Sequence, residues 1–130
     1  MEQVLKNFTL DFFGKGKHKI SPAAFFQMED VVLLDVRSRE EADSLSITLA
    51  LHDNVQCLNI PINEVPDKLN DIPRDKPLAI FCPASVRSAI VYSFLLSKGF
   101  FDVRILMGGY PALTEEVMPG KVLQLTLQEI

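Results

Sequence analysis

The sequence predicts an α/β fold, with a mostly parallel central sheet and helices on both of its faces. Short apolar runs at 31–35, 78–82 and 103–106 alternate along the chain with segments of helical periodicity. Strands that are separated by helices of this length are typical of parallel sheets covered on both sides. The length of 130 residues suffices for one well-packed core and is too short for two ordinary domains. We therefore expect one domain.

The composition argues against several classes of protein. Hydrophobic residues make up 48% of the chain and charged residues 23%, which is typical of a globular domain. The 13 basic and 17 acidic residues give a net charge of -4, which argues against nucleic acid as a partner. The N-terminus lacks the apolar core of a signal peptide, and no apolar run is long enough to span a membrane. Since two cysteines are too few for a disulfide framework, we predict a cytoplasmic protein.

The first half of the predicted domain contains two helix starts and one strand. Ser21 followed by Pro22 is typical of an N-cap and a first helical turn, and predicts a short helix. The apolar run at 31–35 predicts a buried strand. Ser38 is then expected to cap a helix over 39–45.

The second half begins with two further strands. One strand is predicted over 56–61, where Pro61 stops it. Asn63 is expected to cap a helix over 64–71. The apolar run at 78–82 then predicts the third buried strand.

The longest helical pattern follows the third strand. It begins at Ser88, is apolar on most of its faces and is stopped by Gly99, as expected of a glycine C-cap. A strand over 103–106, a turn at Gly108 and Gly109, and the start of a last helix complete the predicted fold.

The two ends of the chain lie outside these patterns. We assign residues 18–116 to the domain and residues 1–17 to an N-terminal extension. Residues 117–130 form a tail that packs on the domain or trails from it. A lysine cluster near the end of the extension could attract anions, but is more typical of a solvated, flexible segment. Its members are Lys15, Lys17 and Lys19.

Cys82 has the position expected of a nucleophile. In open α/β sheets ligands bind at the carboxyl ends of strands, where the N–H groups of following helices point. Cys82 is predicted to end a strand, and a five-residue loop, PASVR, leads from it into the longest helix. The helix dipole and Arg87 favour an anion there, so a thiolate suits this position. The alternative is that Cys82 is a small buried hydrophobe, as many cysteines are.

Several other residues have ordinary explanations. Cys57 lies inside a predicted strand and is expected to fill the core rather than to act as a resolving thiol. His18 and His52 show no metal-ligand spacing with the cysteines and are expected to be solvated. Phe100 and Phe101 are expected to belong to the core, whereas an exposed pair would indicate a partner surface.

Four motifs together resemble those of the rhodanese-like (sulfurtransferase) domains. They are LLDVRSREE at 33–41, CLNIPINEV at 57–65, FCPASVRSA at 81–89 and GFFDVRILMGGYPAL at 99–113. In the family these are two core strands with their helices, the active-site loop, and the final strand with its glycine pair. Because four motifs agree in order and spacing, the chain is identified as similar to single-domain members over about residues 18–115.

The resemblance implies a sulfurtransferase or a sulfane-sulfur carrier. In the family, the loop cysteine takes sulfur from thiosulfate or a protein persulfide, becomes a persulfide, and passes the sulfur to cyanide or to a thiol. This implies that Cys82 is the nucleophile, that a small redox protein could accept the sulfur, and that no cofactor or metal is needed. A monomer or a weak homodimer is expected. The alternative is a non-catalytic binding or regulatory module with the same fold.

The resemblance also implies which residues bind the substrate. The main-chain amides from Ala84 to Ser88 would cradle the transferred sulfur, and Arg87 would hold anionic groups of the donor. From their position at the end of the first core strand, and apart from the resemblance, Asp35 and Arg37 either support this loop from behind or form an ordinary structural ion pair or helix cap. The residues assigned to substrate binding are Pro83, Ala84, Ser85, Val86, Arg87 and Ser88.

The loop departs from the family pattern at two positions. The family often has glycine where this chain has Ser85, and a serine there is costly if the position needs a positive φ. Pro83 removes one N–H donor, so the cradle is expected to be weaker or differently shaped. Four residues separate Cys82 from Arg87, whereas phosphatase relatives have five and a wider ring. The shorter loop therefore favours sulfur transfer over phosphate ester hydrolysis.

Overall fold

The computed structural model of the chain describes residues 1–44 and 54–116. The strands are β1 (Lys19–Ile20), β2 (Val31–Asp35), β3 (Val55–Asn59), β4 (Leu78–Phe81) and β5 (Val103–Leu106). The α-helices are α1 (Glu2–Lys6), α2 (Leu10–Gly14), α3 (Pro22–Phe26), α4 (Arg39–Ser44), α5 (Val86–Ser97) and α6 (Gly109–Glu116). A 3₁₀ segment, Ile62–Asp71, lies between β3 and β4.

The strands form one parallel sheet in the order β1-β5-β4-β2-β3. β2 lies between β4 and β3, with Leu34 opposite Ile80 on one side and Leu58 on the other. Because all these strands run the same way, their carboxyl ends meet at one edge of the sheet. β4 is central, so the residue that follows it lies in the middle of that edge.

Side chains alternate between the two faces of the sheet and build two cores. On one face Leu34 and Ile80 pack with Leu95 of α5 and Val65 of the 3₁₀ segment. On the other face the residues next in sequence, such as Phe81, pack with Phe25 of α3 and Leu113 of α6. The central strands are fully buried, as expected of a sheet covered on both sides. The predicted fold class is therefore confirmed.

Ser21, Ser38 and Gly99 form the helix caps that the sequence predicts. The Ser21 hydroxyl accepts the N–H of Ala24 at 3.2 Å, which begins α3. The Ser38 hydroxyl accepts the N–H of Glu41 at 3.2 Å, which begins α4. After α5, Gly99 adopts a φ of +91°, which ends the helix as predicted.

Two predictions around β3 are wrong. Asn63 does not cap a helix, because it lies inside the 3₁₀ segment, which follows Pro61 without a side-chain cap. Pro66 lacks the N–H that an α-helix would need there, which favours 3₁₀ turns. Cys57 is exposed and does not fill the core. The reason is that β3 lies at the edge of the sheet, where its residues are only half-buried or exposed.

The N-terminal extension forms α1 and α2 and is folded onto the domain, while Lys15, Lys17 and Lys19 are exposed, as expected of a solvated segment. α1 packs against α5, and Val4 is buried there. Thr9 caps α2 by accepting the N–H of Phe12 at 3.2 Å. The ring of Phe8 stacks between those of Phe12, at 5.4 Å, and Tyr92, at 6.0 Å. The extension thus adds an aromatic layer to one side of α5.

His18 and Phe101 also differ from expectation. His18 is half-buried, with its ring 5.0 Å from that of Phe13. Burial and the charge of Lys19 lower the pKa of His18, so the imidazole is neutral at pH 7. Phe100 belongs to the core as expected, but Phe101 is 81% exposed.

Some predictions fall outside the described residues. These are the last residue of the helix predicted over 39–45, His52, and the tail over 117–130. Within residues 1–44 and 54–116, no helix has both the length and the apolar character needed to cross a membrane.

Candidate active site

Cys82 lies directly after β4 at the carboxyl edge of the sheet. Its residue surface is 1% exposed. The Sγ atom accepts the main-chain N–H of Ser88 at 3.3 Å. Ser88 is in the first turn of α5, where helical N–H groups have no acceptor within the helix. The structure therefore places the sulfur at the N-terminus of a 12-residue helix, where an anion is stabilised.

The loop between Cys82 and α5 has a positive φ at Ser85, the conformation predicted from the sequence to be costly for a serine. Ser85 adopts a φ of +64° and a ψ of -2°, a left-handed conformation that is rare for residues other than glycine. It is the residue at which the loop turns into α5. The positive φ directs the chain into the helix only four residues after the strand ends. Ser85 therefore occupies a left-handed position in which a glycine would not be strained.

A glycine from another part of the chain supports the loop. Gly109, at the start of α6, lies so close to Pro83 that a Cβ atom added to it would come within 2.2 Å of the Pro83 carbonyl oxygen. Gly109 also has a φ of +58°. No other residue type fits this contact without moving the loop. The predicted glycine turn thus serves the active-site loop as well as α6.

Ser88 also has a buried hydroxyl group. The residue is fully buried, and its Oγ atom has no hydrogen-bond partner in the described part of the chain. A buried hydroxyl without a partner costs free energy. The main-chain N–H of Ser88, in contrast, donates to Sγ of Cys82. The hydroxyl makes no hydrogen bond to Sγ.

Arg87 is held by a carboxylate from α4. Its two terminal nitrogens donate to Glu41 at 2.6 and 3.0 Å, a bidentate ion pair. Glu41 also accepts the main-chain N–H of Ser38 at 3.0 Å, so that the two residues form a capping box. These contacts with Arg87 and Ser38 lower the pKa of Glu41 to about 2. The end of the loop is therefore tied to the start of α4.

The ion pair leaves part of Arg87 available. A guanidinium has five N–H donors, and Glu41 accepts one from each terminal nitrogen. Arg87 is half-buried. Contact with Glu41 raises the pKa of Arg87 above its usual value, so the group remains charged. Arg87 can thus fix the loop and still present donors to an anion.

Asp35 and Arg37 form a buried ion pair behind the site. Arg37 is fully buried and donates to Asp35 through Nε at 2.9 Å and through a terminal nitrogen at 2.7 Å. Its other terminal nitrogen donates to the hydroxyl of Tyr110 at 3.0 Å. Although burial opposes its charge, the hydrogen bonds to Asp35 and Tyr110 raise the pKa of Arg37.

This buried pair also contacts the surroundings of Cys82. The guanidinium of Arg37 lies 5.7 Å from the ring centre of Phe81 and 5.6 Å from that of Tyr110. Phe81 precedes Cys82, and Tyr110 follows Gly109. Asp35 and Arg37 therefore form a structural ion pair that also supports the two segments on which the loop rests.

The structure brings together most of the predicted site residues and adds three others. Cys82, its loop and the Asp35–Arg37 pair lie at one edge of the sheet. Sequence reasoning missed the roles of Glu41, Gly109 and Tyr110. The capping-box pattern of Ser38 and Glu41 was the signal that could have identified Glu41 as a fixed carboxylate. Cys57, in the edge strand β3, is not one of these site residues.

Comparisons with known proteins agree with this architecture. The family model described as "Rhodanese-like domain" matches residues 23–116. A protein named sulfurtransferase, from Allochromatium vinosum, is 30% identical over 91 residues, which cover 70% of this chain and 78% of that protein. A solved rhodanese-related protein from Thermoplasma volcanium is 30% identical, with a TM-score of 0.61, and covers 78% of this chain and 95% of its own.

A larger protein contains a similar domain. The structure of a NAD-dependent persulfide reductase from A. fulgidus is 35% identical, with a TM-score of 0.57, over 75% of this chain. The present chain covers 16% of that protein. The similarity therefore concerns one domain of the reductase and not its whole activity.

Replacing the strained serine should stabilise the fold. In Ser85→Gly, relief of the left-handed strain outweighs the added entropy of the unfolded chain, so the free energy of unfolding should rise by about 0.5–1 kcal/mol. Ser93→Gly, in the middle of α5, is the matched control and should lower it, because φ is helical there. Urea denaturation measures both. A lower stability of Ser85→Gly would contradict the assigned strain.

The Glu41–Arg87 ion pair should give a defined pH dependence. Because the pKa of Glu41 is lowered to about 2, the pair stabilises the fold fully above the usual value of 4.5 and loses its effect as the pH falls towards 2. Wild type should therefore exceed Glu41→Gln in unfolding free energy at pH 7, and the gap should narrow between pH 4.5 and 2. Glu40→Gln removes the same charge from α4 as a control. A gap that does not change with pH would contradict the assignment.

Proposed function

Since the chain belongs to the rhodanese-like domain family, we propose that it is a sulfurtransferase in which Cys82 carries sulfane sulfur as a persulfide. The observation that carries this proposal is the contact of the Ser88 N–H group with Cys82 Sγ at the N-terminus of α5. A helix N-terminus stabilises a sulfur anion both before and after the transfer. The similarity to a protein named sulfurtransferase supports sulfur transfer in general. The donor and the acceptor are proposals of our own.

The first step transfers sulfur to the enzyme. The thiolate of Cys82 attacks the outer sulfur of thiosulfate, or the outer sulfur of a protein persulfide. A bond forms between Sγ and that sulfur, while the S–S bond of the donor breaks. Sulfite, or the donor's thiolate, leaves with the electron pair. Cys82 is then a persulfide, and no external oxidant or reductant is needed.

The second step returns the thiolate. A nucleophilic acceptor, either cyanide or the thiolate of a small redox protein, attacks the outer sulfur of the persulfide. A new bond forms between the acceptor and that sulfur, and the bond to Sγ breaks. Cys82 recovers its electron pair and its negative charge. Because the anion begins and ends on Sγ, the same N–H groups serve both steps.

The loop supplies the donors for this chemistry. The N–H groups of Ala84 to Ser88 lie after Cys82, and those in the first turn of α5 have no acceptor within the helix. Pro83 contributes no donor, so the cradle depends on the later residues. We propose that the buried hydroxyl of Ser88, which has no partner in the described residues, turns towards the transferred sulfur as a further donor. Arg87 would contact the anionic part of a donor such as thiosulfate, while Glu41 fixes its position.

The supporting residues act through the loop. Gly109 leaves space for the carbonyl group of Pro83, and the Asp35–Arg37 pair fixes Phe81 and Tyr110 on the inner side. These are positioning residues, since their contacts are with the protein. Their proposed effect is to keep the N–H groups aimed at the sulfur without reorganisation during the reaction.

Loading of the sulfur can be followed by mass. After incubation with thiosulfate and removal of excess reagent, wild type should gain one sulfur atom, about 32 Da, as a persulfide. Cys82→Ser should gain nothing and should transfer no sulfur to cyanide, with an unchanged fold by circular dichroism. Cys57→Ser is the matched control and should behave as wild type. If wild type gains no sulfur from thiosulfate or from a small-molecule persulfide, the chain is the non-catalytic binding module.

The hydroxyl of Ser88 should contribute to the rate. In Ser88→Ala the main-chain N–H remains, but the hydroxyl that we propose as a donor to the transferred sulfur is lost, so kcat should fall about tenfold with little change in KM. Ser93→Ala, one turn and a half further along α5, is the matched control and should keep wild-type kcat. Steady-state transfer from thiosulfate to cyanide measures both. An unchanged kcat in Ser88→Ala would remove the hydroxyl from the mechanism.

A further inference from the structure

A cavity lies at the opposite end of α5 from Cys82. Its volume is about 520 Å³. The N-terminal extension forms one wall, and the second half of α5 with the start of β5 forms the other. Since Cys82 follows the carboxyl end of β4, while Asp102 precedes the amino end of β5, the cavity and the sulfur site are at opposite edges of the sheet.

The apolar part of this cavity consists largely of aromatic rings. Phe8, Phe12 and Tyr92 line it as a stack, with interplanar angles of 23° and 17° between neighbouring rings. Phe101 also lines it and is 81% exposed. A large exposed phenylalanine beside a ring stack provides a surface for a flat apolar group.

The polar part carries cations without partners. Lys17 and Arg104 line the cavity, and neither forms a hydrogen bond or an ion pair within residues 1–44 and 54–116. The other ionised group of the lining is Asp102, so the cavity has a net positive charge in a protein whose net charge is -4. Asn7 completes the polar lining. The charge pattern favours an anion at this position.

Tyr92 gives the cavity a hydroxyl donor. The residue is 5% exposed and lines the cavity, and its hydroxyl makes no hydrogen bond in the described part of the chain. Burial raises the pKa of Tyr92, although the charge of Arg104 acts in the opposite direction, so the hydroxyl keeps its proton at neutral pH. The hydroxyl is therefore free to donate to a ligand in the cavity.

We propose that this cavity binds a small aromatic anion, with the flat body on the rings of Phe8, Phe12 and Phe101 and the acidic group between Lys17 and Arg104. The Tyr92 hydroxyl donates to the same acidic group. Carboxylates and sulfonates both satisfy these donors, because each presents several acceptor oxygens to cations and hydroxyl groups. The site is separate from sulfur transfer and does not depend on the proposed reaction.

One wall of the cavity lies outside the part of the chain that the family model matches. The family model matches residues 23–116, whereas the wall formed by the extension lies within residues 1–17. A ligand of this cavity would therefore depend on the extension as well as on the domain. Two lysines of the cluster that the sequence indicated differ in their contacts. Lys17 lines the cavity, whereas Lys15 pairs with Asp11 at 3.1 Å.

The test is a fluorescence titration of the full-length protein with 1-anilinonaphthalene-8-sulfonate, an aromatic anion. We expect one saturable site, from which 1-naphthoate displaces the dye and the uncharged 1-naphthalenemethanol does not. Lys17→Gln and Arg104→Gln should each weaken binding about tenfold, because each removes a charged partner of the anion. Lys15→Gln is the matched control from the same segment and should bind as wild type does. Sulfur loading on Cys82 should be unchanged in all variants.

A second measurement locates the site without any substitution. In ¹H–¹⁵N spectra of wild type, 1-naphthoate should shift the amides around Phe101 and Arg104 and leave those of the Cys82 loop unchanged. Phe101→Ser should weaken binding, whereas Leu10→Ser, which removes another exposed apolar side chain outside the lining, should not. The proposal is overturned if Lys17→Gln and Lys15→Gln bind equally, if 1-naphthalenemethanol competes as well as 1-naphthoate, or if the shifted amides are those of residues 84–88.

Discussion

The hydrogen bond from the Ser88 N–H group to Cys82 Sγ is the constraint on which the rest of the site depends. It requires α5 to begin almost as soon as β4 has ended, and this requires the left-handed conformation of Ser85. The short turn brings the Pro83 carbonyl against α6, where only a glycine leaves room for it. The strained serine, the glycine contact and the buried sulfur are therefore consequences of one geometric requirement, the short path from a central strand into a helix.

Two ion pairs hold this turn from different sides, and burial separates their roles. Arg37 and Asp35 lie within the protein, where removing one partner of a pair typically costs 3–5 kcal/mol, about as much as a large core side chain. Arg87 and Glu41 are partly exposed, so water screens their attraction and they contribute less to stability than the inner pair does. The inner pair fixes Phe81 and Tyr110, against which the loop packs, and the outer pair fixes the orientation of the Arg87 side chain.

The sequence predicted what depends on neighbouring residues and missed what depends on distant ones. Ser21, Ser38 and Gly99 act on the main chain within a few residues, so their caps could be predicted from composition and spacing. The partner of Arg87 is 46 residues away, and only the fold brings the two together. Cys57 and Phe101 were misjudged because their burial depends on which strand lies at the edge and on where the extension packs.

The shortest strand of the sheet has a consequence for the behaviour of the protein in solution. β1 contains only Lys19 and Ile20, too few residues to show a hydrophobic alternation, and it forms the outer edge beside β5. An edge strand offers its unpaired N–H and C=O groups as a template for the strand of another molecule. Two residues, one of them an exposed lysine, present too short and too charged a template for such pairing. The edge of the sheet next to β5 is thus protected from pairing with a strand of another molecule.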